Sequence, residues 1–475
     1  MADLFNPIGT NKWEIAPREG MRVPGIIYGN EEIINELRKD VNRQWSATKQ
    51  IINVAKLPGI QKASLAMSDV HPGYGFPIGG VGAFDIETGI VSMAGVGYDI
   101  NCGVRTMKTD LTIADFEPKK REIMEELFRT VPAGLGRTGK ITLEENQINE
   151  LLVEGAKWVV ERGYGTEEDL EFTEEKGSIE GADPSAVSHK AKQRQYKQIG
   201  TLGSGNHYLE VQKVETVYDG AVAKAYGLFK DQIIFTIHCG SRGLGHQIGT
   251  DYAPKLVEAA AKYNIKIPEK ELGCAPITSK EGQQYISAVY AGINCAFSNR
   301  QVIAHLAREA FKKVYDTEVT QVYDIAHNTC KMEVHDGKKL LVHRKGATRA
   351  FGPGSDVLPA KYRSEGQPVI IGGTMGTYSF ILSGTSLGMK ETFGSACHGA
   401  GRAFSRSQAK KRWWGKDVVK DLASKNIIVK AHSMAGVAEE APGAYKNVNV
   451  VVDSMHDAGV VKKVVKMVPL GVMKG

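Results

Sequence analysis

The stretch VGYDINCGVR at 96–105 places a carboxylate, Asp99, three residues before a thiol, Cys102, in a glycine-rich turn. Such a pair is a candidate for metal ligation, but one turn supplies two ligands at most. The histidines offer the rest. Of the twelve in the chain, four stand out by context: His207 in GSGNHYLE, His238 ending IIFTIH, His327 in VYDIAHN and His398 in SACHGAGR. His238 and His327 follow short apolar runs and precede polar loops, where a rigid strand presents reactive side chains. One histidine so placed is more often a satisfied structural residue. Several, together with an Asp/Cys pair, point to metal. The set Asp99, Cys102, His207, His238 and His327 mixes carboxylate, thiolate and imidazole, which suits a borderline transition ion rather than magnesium or calcium. Ligand chemistry alone favours zinc. Five ligands exceed one tetrahedral ion, so two ions with a bridging thiolate are expected. The other cysteines read as small core residues, and strand alternation turns Cys239 away from His238.

Glycine is abundant, 53 of 475 residues, and it clusters: HPGYGFPIGGVGAF, GTLGSGNHYLE, HCGSRGLGHQIG, IGGTMGTYSF and CHGAGR. Such clusters mark tight turns or close approach of backbone to a ligand. Arg242 in CGSRGLG and Arg402 in GAGR sit inside them, so backbone N–H groups and a guanidinium could grip a phosphate together. The loop GGTMGT at 372–377 fits a phosphate cradle or a plain strand-connecting turn. DVHPGYGFPIGG at 69–80 adds Asp69 and His71, which fit equally a turn bonded to local backbone or a loop supporting or facing substrate. The apolar tail MVPLGVMKG has the composition of a segment that docks, carrying Lys474 into the fold.

The elements that must position these residues follow from periodicity. Helical patterns cover about 31–56, 117–131, 143–163, 219–230, 285–315 and 404–423. Strand-like runs include QIIFTIHCG, TQVYDIAHN, KKLLVHRKG, PVIIGG and TYSFILSG. Strands and helices do not alternate strictly, which argues against a simple parallel α/β wheel. The expectation is an α+β fold: a single large mixed domain over 1–475, with a β-sheet core, surrounding helices and a loop-built metal and nucleotide site. The polar stretch 164–195 is expected to be an exposed insertion. Lys+Arg 60 against Asp+Glu 54 gives a net charge of +6, compatible with a nucleic-acid partner without demanding one. Six scattered cysteines with no CxxC pair read as reduced thiols. The start has no apolar secretory region, and no apolar run is long enough to span a bilayer. A soluble cytoplasmic protein without membrane attachment is expected.

Taken together, DINCGVR, GSGNH, HCGSRGLGH, AHN, GTMGT, CHGAGR and the ending GVMKG resemble the RtcB-type RNA-splicing ligases, in that family's order and over essentially the whole chain. Two departures are Cys239, where the family has serine, and the Gly-Gly-Thr of GGTMG, where Pro-Gly-Ser is familiar. They leave the phosphate contacts less fixed than the main chemistry. The resemblance implies a ligase that seals a 2′,3′-cyclic phosphate or 3′-phosphate RNA end to a 5′-hydroxyl end, using GTP and two Mn(II) ions. The overriding of zinc by manganese comes from this resemblance. It implies that His398 attacks the α-phosphate of GTP and carries GMP covalently. Asp99, Cys102 and His207 would hold one manganese, and Cys102, His238 and His327 the other. The guanylate would meet Asn206, Glu210, Thr374, Met375, Gly376, Thr377, Gly399, Ala400, Gly401, Arg402, Tyr445 and Lys474. Arg242, Asp69 and His71 would lie toward RNA. The partners implied are tRNA halves or broken RNA ends, with an archease-type activator. A monomer is expected.

The leading rival is a dinuclear metallophosphoesterase. DVH at 69–71 and GNH at 205–207 echo that class's Asp-x-His and Gly-Asn-His pieces. No Gly-Asp-x-x-Asp lies between them and no Gly-His-x-His follows, and His398 and Lys474 would have no task. A non-catalytic RNA-binding protein is the other rival; against it stands the expectation that no basic cluster interleaved with aromatics forms a stacking platform.

Overall fold

The computed structural model describes residues 4–134 and 136–475. Two large sheets organise it. One has seven strands, in the order Asn6–Gly9, Lys12–Ile15, Gly25–Tyr28, Ile60–His71, Ile78–Asp85, Lys338–Lys345 and Asn328–His335. The other runs Val319–Ala326, Gly103–Thr112, Gln232–Cys239, Tyr208–Val217, Val461–Lys474, Ser379–Gly384 and Pro368–Ile371, with Ile428–Ala431 added parallel to the end of Val461–Lys474. The chain passes from one sheet to the other at His327, the residue between Val319–Ala326 and Asn328–His335. The α+β expectation holds, and the five strand-like runs all lie in strands.

The Gln232–Cys239 strand is buried along its length, as an unbroken run of apolar and β-branched residues requires. Behind it lies the helix Lys280–Tyr315, 36 residues long, with Phe311 stacked on Phe235 at 5.0 Å between ring centroids. Ser279 caps its start by accepting from the Gly282 N–H, and Asp316 ends it in the left-handed region at φ 50°. The helix is buried nearly all round and carries polar residues inward. Asn299 accepts from the Gly200 N–H at 2.8 Å and donates to the carbonyls of Thr201 and Gly240. Arg300 donates through Nη1 to the carbonyls of Asn101 at 2.7 Å and Cys239 at 2.8 Å, and pairs with the buried carboxylate of Asp324. Arg105 pairs with the same carboxylate at 2.7 Å. An ion cluster this deep is tolerable only because nearly every donor finds an acceptor. Its geometric effect is to tie the 99–102, 200–207 and 239–241 loops to one rigid helix.

Three expectations are corrected. The 31–56 pattern is two helices, Glu31–Asp40 and Ala47–Val54, because Asp40 turns back to accept the Ala47 N–H and Ser46 caps the second helix. The 404–423 pattern is likewise two, Arg406–Arg412 and Gly415–Ser424, broken at extended Trp413 and Trp414. The 164–195 stretch is only partly exposed. Asp169, Leu170, Phe172, Thr173 and Glu174 are buried. Asp169 pairs with Arg308 at 2.8 Å and Glu174 with Lys331 at 3.0 Å and Arg349 at 3.1 Å. Three of its acidic residues, Asp169, Glu174 and Glu175, meet cations of the fold, which composition could not reveal. The tail does dock: Val461–Lys474 is an interior strand of the larger sheet. Among the described residues no helix is long and apolar enough to cross a membrane.

Candidate active site

Sheet register brings the predicted ligands together. Gly103 lies opposite Cys239 and Val104 opposite His238, while Tyr208 lies opposite both His238 and Lys474. Asp99, Cys102, His207, His238 and His327 therefore emerge at the same end of four neighbouring strands. Two groups of ligand atoms result, each within 4.8 Å: Asp99, Cys102 and His207, and Cys102, His238 and His327. Cys102 belongs to both. Its Sγ is 3.5 Å from His207 Nε2 and 3.2 Å from His238 Nε2. His207 Nε2 is 2.7 Å from Asp99 Oδ2, and His238 Nε2 is 3.2 Å from His327 Nε2. His207 donates its Nδ1–H to the Leu202 carbonyl at 3.0 Å, which leaves Nε2 facing the cluster. Gly240 permits the approach, since a Cβ there would meet Asp99 Oδ1 at 2.2 Å.

The electrostatics suit cations. Burial, helped by the Asp99 charge, pushes the Cys102 thiol up to about 12. Burial would also raise Asp99, but His207 beside it holds the carboxyl at about 2. Burial and neighbouring imidazoles push His238 and His327 well below the usual histidine range. Burial would lower His207 too, but Asp99 beside it raises that imidazole well above the usual range. A divalent ion therefore meets two neutral imidazoles and an ionised carboxylate, and takes the place of the protons on His207 and the thiol. The donor set and its division into two triads fit a pair of transition ions sharing one sulfur.

His398 stands against this cluster, 4.8 Å from the His327 ring. Its Nδ1–H donates to Asp69 Oδ2 at 2.5 Å, and the same oxygen accepts from the His398 backbone N–H at 2.8 Å. Asp69 is fully buried. The expectation that Asp69 faces RNA is thus corrected: its carboxylate lies beneath His398 and fixes the imidazole, leaving Nε2 as the outward nitrogen. Gly401, at φ 72°, closes over it, since a Cβ there would meet the Asp69 carbonyl at 2.5 Å. Asp69 belongs to neither ligand triad, so the Asp-x-His element does not join the cations as the metallophosphoesterase reading needs.

One cavity of about 480 Å³ joins the cluster to most of the other predicted residues. Asn206, Glu210, Thr374, Met375, Gly399, Ala400, Gly401, Arg402, Tyr445, Lys474, His71 and Arg242 line it. Gly376 and Thr377 do not. Thr377 Oγ1 accepts from the Thr374 N–H at 2.9 Å, so it folds the turn, and both residues face a separate hollow on the far side. Lys474 donates to the Gly205 carbonyl at 3.1 Å. Arg242 is held in the left-handed region at φ 57°, with Nη1 3.3 Å from His207 Nδ1. Sequence reasoning missed Glu440, which is buried, accepts from the Tyr445 hydroxyl and pairs with Arg402 at 3.2 Å. It also missed Tyr208, Arg194, His246 and Arg406 in the same wall. Glu440 sits in the ordinary-looking AEEAPGAY. Tyr208, next to a proposed ligand on a strand, and His246, inside the cluster HCGSRGLGHQIG, had a signal.

Glu210 gives a pH prediction. Burial pushes its carboxyl from the ordinary 4.5 up to about 8, although Gln212 donates to it at 2.6 Å. The folded chain then binds this proton more tightly than the unfolded chain. The protonated group costs nothing below about 4.5, and its penalty grows as pH rises toward 8. Glu210→Gln is expected to melt about 3 °C above the parent at pH 9, with the difference closing as pH falls toward 4.5, read by thermal unfolding of the ligand-free protein.

The chain matches the family model described as "tRNA-splicing ligase RtcB" over residues 50–475. Proteins of that description from Thermococcus kodakarensis, Archaeoglobus fulgidus and Methanococcus maripaludis are 51%, 50% and 50% identical to it. The alignments cover 98%, 100% and 98% of this chain and 97%, 100% and 98% of the relatives. With five ligands gathered around one sulfur, a buttressed histidine beside them and this extent of similarity, the chain belongs to the RtcB family of tRNA-splicing ligases.

Proposed function

We propose that this RNA ligase joins 2′,3′-cyclic phosphate or 3′-phosphate RNA ends to 5′-hydroxyl ends with GTP, through GMP carried on His398. The observation that carries the reading is the His398–Asp69 pair at 2.5 Å beside the shared-sulfur cluster. An imidazole whose Nδ1 is committed to a buried carboxylate presents Nε2 in one orientation, the requirement for in-line attack on phosphorus. In the first transfer Nε2 bonds to the α-phosphorus of GTP and pyrophosphate leaves. The RNA 3′-phosphate oxygen then takes the guanylyl group, and the His398 nitrogen departs. The 5′-hydroxyl oxygen finally bonds to the RNA phosphorus and GMP leaves. A cyclic phosphate first takes up water to open to the 3′-phosphate.

Asp99, Cys102 and His207 would hold one Mn(II), and Cys102, His238 and His327 the other. Cations held there would supply charge neutralisation for phosphate oxygens and for the pyrophosphate that leaves. Arg402, Lys474 and Arg242 bring positive charge to the same cavity, as a triphosphate and an RNA end require. Glu210, in the same cavity wall as Lys474, offers a proton donor or acceptor to a base edge. tRNA halves or broken RNA ends are the substrates proposed, acted on by a monomer with an archease-type activator.

The test is covalent labelling. The purified chain, incubated with α-labelled GTP and manganese and then denatured, should carry an acid-labile label on the protein band. A band without label under any divalent ion, together with phosphoester cleavage in the same tube, would hand the reading to the metallophosphoesterase.

A further inference from the structure

Residues 405–416, SRSQAKKRWWGK, hold five cations and two tryptophans with no acidic residue. As one amphipathic helix, the reading 404–423 suggests, this stretch would have been an ordinary solvated face. The structure ends the helix at Arg412 and extends the backbone at Trp413 and Trp414. Trp414 is left 79% exposed, which is rare for so large an apolar ring on a surface this charged. Trp413 instead packs inward against Phe404 at 5.8 Å, and Arg412 lies 4.0 Å over the Phe404 ring. The expectation that the chain lacks a basic cluster interleaved with aromatics is corrected here.

The strip is continuous with the cavity. Arg406 lines the cavity wall and begins the helix that leads out to Arg412. Lys410 is engaged by Glu439 at 2.8 Å. Lys411, Arg412 and Lys416 have no carboxylate partner among the described residues. Seven helical residues and two extended ones reach about 15 Å, or about four nucleotides at stacked spacing.

We propose that this strip is a docking track for single-stranded RNA: Lys411, Arg412 and Lys416 meet the phosphates and Trp414 stacks a base about four nucleotides from the end held in the cavity. It rests on the RNA-ligase reading and extends it, since the transfer chemistry itself needs only the terminal phosphate. Cations beside an exposed ring are the combination that holds unpaired nucleic acid without reading its sequence.

The test uses the full chain and fluorescent 3′-phosphate RNAs of about 20 and 3 nucleotides, with anisotropy as readout. Trp414→Ala should weaken binding of the longer RNA by about tenfold. Lys411→Glu with Lys416→Glu should weaken it similarly and lower the salt slope by about 2. Binding of the trinucleotide and labelling by GTP should be unchanged in both. Unaltered binding of the longer RNA in both variants would overturn the track, as would equal loss for both RNA lengths, which would place the effect in the cavity. A parent chain that binds the longer RNA through the strip but takes no label from GTP would count against the ligase reading alone.

Discussion

His398→Ala is expected to take no guanylate from GTP while keeping its cations. Label on the denatured band should fall to background, a loss of at least about a thousandfold, as when a lone nucleophile is removed. Metal content after dialysis should stay that of the parent. The separation follows from geometry. His398 is in neither triad of ligand atoms; its side chain is held from the other side, by Asp69. Truncation to alanine leaves the buried Asp69 carboxylate with the backbone N–H groups of His398 and Gly399 as donors, so the loop keeps an anchor. Two imidazoles outside the ligand triads also line the cavity, His71 and His246. Burial pushes His71 down to about 4, and its Nδ1 faces the Asp69 carbonyl at 3.1 Å. It is a neutral base at working pH but has no buried carboxylate to aim it. Should His398→Ala still take label, one of these rings is the nucleophile and the assignment fails.

The candidate site was more legible than the fold that holds it, and the reason is physical. A ligand must be a thiol, imidazole or carboxylate, so Cys102, His207, His238 and His327 announce themselves by type, and strand ends announce where they emerge. Residues that position ligands have no such signature. Arg300 donates to the carbonyls of Asn101 and Cys239 from within a helix; in sequence it is one arginine in a helical pattern. Asp69 was visible as a polar residue in a glycine-rich turn, but its partner lies 329 residues away. The same limit explains the misread elements. Asp40 closes Glu31–Asp40, Gly155 ends Glu145–Glu154 inside the 143–163 pattern, and Trp413 ends Arg406–Arg412, each through a local backbone or capping choice that hydrophobic periodicity does not register.

Cys102→Ala should lose both cations, whereas His327→Ala or Asp99→Ala should each lose one. The contrast isolates the shared sulfur, because each singly used ligand serves a single triad. Removing a first ligand from a three-residue site ordinarily costs more than the ten- to hundredfold affinity loss of an outer-shell change; here one side chain is withdrawn from two sites at once. The sulfur is also the group most in need of the ions. With its thiol pushed up to about 12 by burial and by Asp99, Cys102 becomes a thiolate only if cations take the place of its proton. Cobalt(II) gives a direct readout, since a thiolate bound to it produces a charge-transfer absorption that carboxylate and imidazole do not. The parent should show that band and bind two equivalents. Cys102→Ala should show neither, and His327→Ala should keep the band with one equivalent. Labelling by GTP should fail in Cys102→Ala although His398 and Asp69 are untouched, because the nucleophile alone cannot neutralise the phosphates it attacks. A Cys102→Ala chain that holds one cation as tightly as the parent would mean that the sulfur serves one ion only, and the bridged arrangement would have to be abandoned.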